Sequence, residues 1–416
     1  MSLLVSLSGV QAAQTDIDTI GNNIANVSTA GFKESDAEFA DIYSGARSGL
    51  GGSIDPGLGV NTNGLPQSFA EGTITQTGNP LDMAIDGNGF FQVETGSGIA
   101  FSRDGQFHLD NSGNLVTTTG NQVMGFAATG SDSTATPAGT LVPITVSTAS
   151  VPATPTSAVS LAINLPSSDP TIDPTTTPFN PSNRASYDES TSFSVFDSLG
   201  VSRTLTTYFT QTQSGAGANS QWQTNYQLAD ANGNVDASGT GPTLTFDSSG
   251  KLVSGNGTIT ASNLPNGAAP LNIAEDFTGS TLSGLAFGVN SINDNGSAAG
   301  QFAGVSVSSD GSVVAQYDNG DTRNFGTVAL ANFANPQGLT PISGNLWLAS
   351  SASGTALTGA PSSAGLGVLQ SGAVEGSNVD LSTQLVNLIG AQQAYQANVQ
   401  GINIEQQDIQ RLLTIQ

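Results

Sequence analysis

Heptads at the two ends of the chain constrain its fold more than anything between them. Near the N-terminus Leu3, Val10, Ile17 and Ile24 recur every seven residues. Ala13, Ile20 and Val27 fill the position three later, and only Ser6 breaks that second row. Near the C-terminus Leu381, Leu388, Tyr395, Ile402 and Ile409 repeat the pattern, interleaved with Leu385, Val399 and Leu413. Apolar residues at this spacing form one stripe along a helix, and that stripe must be buried against something. The first helix is expected to end near Gly31, since glycine is favoured just past a helix C-terminus. The second is expected to open on a capping-box-like pair, Ser377 and Asp380. At about 1.5 Å per residue the two would run roughly 40 and 50 Å.

Both stripes contain interior glycines, Gly9 and Gly21, then Gly390 and Gly401. Each costs about 1 kcal/mol relative to alanine, and Asn22, Asn23 and Asn26 lower the front helix's propensity further. Small residues also permit close approach. The pattern predicts helices that are weak alone and stable when packed on each other and on copies of themselves. An ordinary monomer with a terminal helical hairpin is the plain alternative.

Between the ends the chain is rich in glycine (51 of 416 residues) and patterned as strands and turns. Residues 32–75 form an extended, glycine-rich connection (Gly45, Gly49, Gly51, Gly52, Gly57, Gly59, Gly64), with short strands near Val60 and Phe69. Asp86-Gly87-Asn88-Gly89 introduces a strand at Phe90, Phe91 and Val93. Asp104-Gly105 and Asn111-Ser112-Gly113-Asn114 punctuate the next strands, as tight hairpins require. Residues 137–181 carry Pro143, Pro152, Pro155, Pro166, Pro170, Pro174, Pro178 and Pro181, which suits edges and linkers. More strands continue to about 284, and hairpin patterning resumes over 302–348. If the end helices pair, the chain must return beside its start. The expected layout is mainly β with terminal α-helices, and nested. Residues 1–31 and 377–416 form a paired, coiled-coil helical domain. Residues 76–142 and 286–376 form a first β domain, and 143–285 an inserted outer β domain.

Composition excludes several functions. With 8 basic and 32 acidic residues and a net charge of −24, the chain lacks the clustered Lys and Arg that phosphate binding needs. Neither nucleic acid nor an anionic membrane surface is an expected partner, and no segment is apolar enough to insert in a membrane. There is no cysteine, hence no disulfide, thiolate metal site or cysteine nucleophile. The N-terminus lacks a secretory signal peptide. The single histidine, His108, lies in the alternating run Phe107-His108-Leu109 and reads as a solvent-facing strand residue. The hydrolase and zincin signatures G-x-S-x-G and H-E-x-x-H are both missing, and Gly250-Lys251-Leu252 is not a phosphate loop. Asp86-Gly87-Asn88-Gly89 is better explained as a turn than as a calcium loop, because the spacing to Glu94 is wrong. Trp222, Tyr226 and Tyr208 read as strand packing rather than a sugar platform. No enzyme, cofactor or metal is expected.

Longer runs add a resemblance. Leu7-Ser8-Gly9, with Gly21-Asn22-Asn23-Ile24-Ala25-Asn26-Val27-Ser28-Thr29-Ala30-Gly31-Phe32-Lys33, resembles the N-terminal signature of bacterial flagellar rod, hook and hook-filament junction proteins. Ser377-Asn378-Val379-Asp380-Leu381, followed by Ala391-Gln392-Gln393-Ala394-Tyr395-Gln396-Ala397-Asn398, resembles their C-terminal signature. One departure is Gln393, where the family often has arginine, so a salt bridge at that position is not carried over. Thr77-Gly78-Asn79-Pro80-Leu81-Asp82 and Ser102-Arg103-Asp104-Gly105-Gln106-Phe107 are similar to segments of hook and distal rod proteins. Chain length, Phe196-Asp197-Ser198-Leu199-Gly200 and 330–339 favour hook proteins over the rod type. The resemblance is strong over about 1–125 and 300–416, and looser over 140–285.

It implies a structural subunit that is exported unfolded by the flagellar type III apparatus and lies outside the cell. There it polymerises into a curved, flexible tube joining rod to filament as a universal joint. Its partners would be itself, the distal rod protein, a hook cap scaffold and the hook-filament junction protein. The heptad residues named above would form the polymer interface, with Ile17, Ile24, Leu388 and Tyr395 buried between helices. Residues 32–75 would act as a hinge. A distal rod-type protein, or a secreted β-rich adhesin or glycan-binding protein, are the competing expectations.

Overall fold

The computed structural model describes residues 3–42, 57–128, 139–214, 219–262 and 264–414. Its α-helices lie only at the termini, α1 over Leu3–Ala25 and α2 over Leu381–Thr414, and the described chain between them is mainly strand. The fold class expected from the heptads and turn signals is the one observed.

The chain divides into two compact units. The first comprises Met1–Ser147, Gly304–Ala315 and Thr322–Gln416. In it the hairpin Phe90–Thr95/Gly98–Ser102 adds Gln122–Ala127, which in turn pairs with Thr322–Val328. An aromatic cluster of Phe90, Phe101, Phe333 and Trp347 fills one side of this sheet. The returning chain runs beside the outgoing one: Val368–Ser371 pairs with Met83–Asp86, and Ala373–Glu375 with Ile74–Gln76. That pairing delivers α2 next to α1.

The second unit comprises Thr148–Ala303 and Gln316–Asp321. An antiparallel meander, Glu189–Phe196, Ser202–Gln213, Ser220–Ala229, Val235–Phe246 and Leu252–Ser254, faces a second sheet. That sheet contains Ala158–Pro166, Gly257–Ala261, Leu271–Asp276, Thr281–Ser283 and Gly288–Asp294. Strict alternation, as in Leu271, Ile273 and Glu275 inward with Asn272 and Ala274 outward, gives each strand one face for the core between the sheets. Trp222, Tyr226 and Tyr208 all pack in this unit with their side chains buried.

Two boundaries differ from the sequence reading. Gly288–Asp294 pairs with Ala158–Pro166, so the second unit runs past 285. Ala158–Pro166 is itself a central strand of its sheet, although it lies in the proline-rich stretch read as a linker. Pro155 precedes the strand and Pro166 is only its last residue, paired with Ser283, and the run between them alternates (Val159, Leu161, Ile163 and Leu165 buried).

The hairpin turns share one device. Asp110, Asp230 and Asp247 each accept backbone N–H bonds at i+2 and i+4 through one carboxylate oxygen. The glycine at i+3 (Gly113, Gly233, Gly250) has φ between 80° and 84°, a conformation that disfavours any Cβ.

A helical pair with uncovered faces and a buried anchor

α1 and α2 lie antiparallel. Ser6 meets Gly401, Gly9 meets Asn398, and Asn23 meets Gln384. Apart from Ile20, the seam is built of small and polar side chains: Ser6, Ala13, Thr19 and Asn23 are buried on α1, and Gln384 and Ala391 on α2. The serine that breaks the second front row therefore sits where α2 comes closest. A Cβ on Gly9 would lie 2.7 Å from the Asn398 side chain, so a larger residue there would have to displace Asn398. Gly21 and Gly390 have nothing within 4 Å of a built Cβ.

Ile20 excepted, the large heptad residues flank this seam rather than fill it. Val10, Ile17, Ile24 and Val27 are half-buried, as are Leu388, Tyr395, Val399 and Ile402. Leu3, Leu381, Leu385, Ile409 and Leu413 are exposed. Leu4, Leu7, Val386, Ile389 and Ile404 join them, with Leu4 at 71% and Val386 at 68% of full exposure. Heptad spacing located the helices but not which row faces the partner helix. The clue was composition, because a close seam takes the small residues.

The signature residues converge below this pair. Asn23 pairs with the backbone of Ser35 on both sides, its Nδ2 donating to Ser35 O (2.8 Å) and its Oδ1 accepting from Ser35 N (3.0 Å). Asn378 accepts from Glu34 N (2.8 Å) and donates to Ser68 O (2.8 Å). Lys33 and Glu375 form a fully buried ion pair of 2.6 Å. Arg103 reaches the other oxygen of Glu375 at 3.1 Å. Lys33 also donates to Ala70 O, and Gly72 N donates to Glu375 Oε1. Burial lowers the Lys33 pKa, opposed by the Glu375 carboxylate beside it. One carboxylate thus ties the exit of α1, the end of the 32–75 connection, the Arg103 loop and the approach to α2.

Nearby, Phe69 stacks edge-on against Phe90 and Trp347, and Trp347 Nε1 donates to Gln67 (2.7 Å). Both ends of the 32–75 connection are therefore pinned. Its described part also contains the hairpin Glu38–Asp41/Val60–Gly64, whose Val60 N–H reaches Ser8 on α1. Phe69 is not in a strand. Gly45, Gly49, Gly51 and Gly52 lie outside the described residues.

The caps differ from the sequence reading. α2 is capped by Asp380, whose Oδ1 accepts from Ser382 and Thr383 N–H (2.8 and 3.1 Å). Ser377 lies further back, accepting from Val379 N. α1 ends at Ala25, before Gly31. In the turn after it, Asn26 donates to Asn22 O and accepts from the Thr29 hydroxyl. Gly31, at φ 67°, instead packs against the Arg103–Asp104 backbone, where a Cβ would sit 2.4 Å from Asp104 N. Phe32 is half-buried and Val379 buried, while Asn22, Ala25, Gln392 and Gln396 are exposed.

His108 is exposed on its strand. Among the described residues no group of His, Cys, Asp or Glu has metal-holding geometry, and no described helix is long and apolar enough to cross a membrane.

Known proteins are similar to this chain. The chain matches the models for "Flagella basal body rod protein" over 3–33 and "Flagellar hook protein FlgE/F/G D1 domain" over 84–168. It also matches "Flagellar basal body protein FlaE D2 domain" over 164–297 and "Flagellar basal body rod FlgEFG protein C-terminal" over 370–415. It is 39% identical to the flagellar hook protein FlgE of Escherichia coli K12, with 100% of each chain covered. It is 33% identical to that of Brucella abortus over 94% of this chain and 93% of the relative. The crystal structure of Helicobacter pylori flagellar hook protein FlgE2 has a similar fold, with a TM-score of 0.55 and 14% identity over 71% of this chain and 99% of that one. End helices, nested β units and full-length identity agree: the chain belongs to the flagellar hook protein family, and it is a structural subunit of the external flagellum and not an enzyme.

Proposed function

We propose that the subunit polymerises through its helical pair into a curved, flexible tube that passes torque from rod to filament. The observation that carries this reading is a pair of exposed aliphatic patches, one at each end of the antiparallel helices. Leu381, Leu385, Val386 and Ile389 on α2, with Leu3, Leu4 and Leu7 on α1, are uncovered in the single chain. Within each patch the exposed aliphatics are one helical turn apart or less, and clustered exposed apolar surface marks an association site. A second copy is the natural cover, because each copy presents the same incomplete faces. The half-buried Ile17, Ile24, Leu388 and Tyr395 would become fully buried there. In this reading the other contacts of the tube are the distal rod protein, the hook cap scaffold and the hook-filament junction protein. Delivery is by the flagellar type III apparatus, with the chain unfolded.

The test is electron microscopy of purified protein under polymerising conditions, with intact chains beside chains lacking both helices. Curved tubes from the intact chain alone are expected. Straight, rigid tubes would make this a rod-type subunit. Tubes from the truncated chain would overturn the role given to the helices.

A further inference from the structure

The core of the second unit is divided in two. One apolar cluster contains Leu205, Tyr226, Leu228, Ile259 and Ile273. The other contains Phe209, Trp222, Leu244, Phe246 and Phe277. Along three strands the chain passes from one cluster to the other across a buried polar residue. Thr207 lies between Leu205 and Phe209, Thr224 between Tyr226 and Trp222, and Glu275 between Ile273 and Phe277. These three residues form a polar waist between the clusters, which Phe193 bridges on one side.

Glu275 is the ionisable member of that waist, and it is only 3% exposed. Its Oε2 has no hydrogen-bond partner, and neither do Thr207 Oγ1 and Trp222 Nε1. Gly241 lies opposite: a Cβ built there would sit 3.4 Å from Glu275 Oε2 and 2.5 Å from Thr224 Oγ1. The Thr224 hydroxyl is committed to Pro242 O.

Among the described residues nothing nearby compensates a charge. The strands beside Glu275, 158–166 and 257–261, carry no titratable side chain. Tyr226, across the core, donates to Thr260 O. On 202–213, Arg203 is held by Asp197 and Asp236, the latter from 235–246, and Tyr208 donates to Gln227. No described cation is ion-paired with Glu275. An ionised carboxylate buried without a charge partner is costly.

We propose that Glu275 is a proton-dependent weak point of the second unit: the folded sandwich holds it as the neutral acid, and its ionisation loosens the waist between the two clusters. Burial raises its pKa from 4.5 to about 7. A carboxyl raised in the folded state contributes stability that is complete below its unfolded value of 4.5 and is lost as pH rises through about 7. The second unit therefore resists unfolding best in mild acid. Asp188, raised to about 6 by burial, adds to the same window, so the test must isolate Glu275.

The sequence supplies a reporter. There are two tryptophans, Trp222 in the core of the second unit and Trp347 in the first unit. In the full chain carrying Trp347→Phe, Trp222 emission tracks the second unit alone. Urea unfolding at pH 5 and pH 8 is compared with and without Glu275→Gln. The Glu275 share of the change is expected to raise the unfolding equilibrium constant on the order of 100-fold at the higher pH, and the glutamine variant should lose that share. Equal pH dependence in the two would overturn the proposal. Should the variant fail to fold, the wild-type chain labelled with ¹³C-carboxyl glutamate decides. One glutamate resonance titrating above pH 6 is expected, and all titrating below pH 5.5 would refute the idea.

Discussion

The second β unit and the helical pair use the same hydrophobic effect to opposite ends. In the β unit Trp222, Phe209, Phe246 and Phe277 are fully buried by strands of the same chain, so burial is completed within one copy. In the helical pair the inward positions go to Ser6, Ala13, Gln384 and Ala391, while Leu385, Val386 and Ile389 stay outside. A seam of small residues brings the helices close but hides little apolar area, and the free energy available from the aliphatic side chains is left unused. One region completes its burial within one copy, and the other leaves aliphatic faces uncovered.

The sharpest way to break this comparison is a charge on the uncovered face. Leu385 is exposed in the single chain, so Leu385→Asp should leave the monomer folded. In the polymer it would bury an unpaired carboxylate in every copy, at several kcal/mol each. Complete loss of tubes by electron microscopy is expected, with Trp222 emission unchanged. Ile24→Asp should do the same and also loosen the pair, since Ile24 is already half-buried. Normal tubes from Leu385→Asp would mean that this exposed patch is not an interface.

The next largest effect concerns the anchor. Removing one partner of a buried ion pair strands the other, at a cost of about 3–5 kcal/mol. Glu375→Gln leaves Lys33 and Arg103 without their shared carboxylate. Denaturant unfolding monitored by Trp347, in a Trp222→Phe background, should shift by that amount. Trp222, in a Trp347→Phe background, should report no shift. A shift in both would show that the two units unfold together.

The range of each interaction decided whether the sequence disclosed it or hid it. The helices were legible because a heptad is a local pattern. The hairpin at 110–114 was legible because Asp110 satisfies its own turn within four residues, whereas the same device at Asp230 and Asp247 was not read from the sequence. The strand at 158–166 was hidden by the prolines around it, and only the alternation of Val159, Leu161, Ile163 and Leu165 marked it. The α2 cap was displaced by three residues because Ser377 and Asp380 both satisfy the rule, and tertiary contacts chose between them. Lys33, Asn23 and Asn378 were visible as motif residues, but their shared task was not. Their partners lie hundreds of positions away, or are backbone atoms that carry no sequence signal.

The helical glycines sharpen the same contrast on a smaller scale. Gly21→Ala meets open space, so it should stabilise α1 by about 1 kcal/mol through helix propensity alone. Gly9→Ala gains the same propensity but pushes Asn398 aside, and its net effect should be near zero or unfavourable. Far-UV circular dichroism of the two variants during heating would show this. Equal stabilisation by both would mean that the Gly9–Asn398 contact imposes no constraint.

The smallest effect has the opposite pH sign to that of Glu275 and so separates the turns from the core. Hydrogen bonds from Asn234 hold the Asp230 carboxyl below its ordinary value of 3.8. A depressed carboxyl stabilises above its unfolded pKa, and that contribution is lost as pH falls through the lower folded value. Acid should therefore loosen the 230–234 turn below about pH 4, a range in which the Glu275 contribution is already complete. Amide exchange at Asn232 and Asn234 should speed up there in the wild type. With Asp230→Asn, whose side-chain oxygen still accepts but no longer titrates, exchange should not change across that range beyond its intrinsic pH dependence. If both chains lose protection together, the acid response belongs to the sandwich as a whole, and the turns are only carried along.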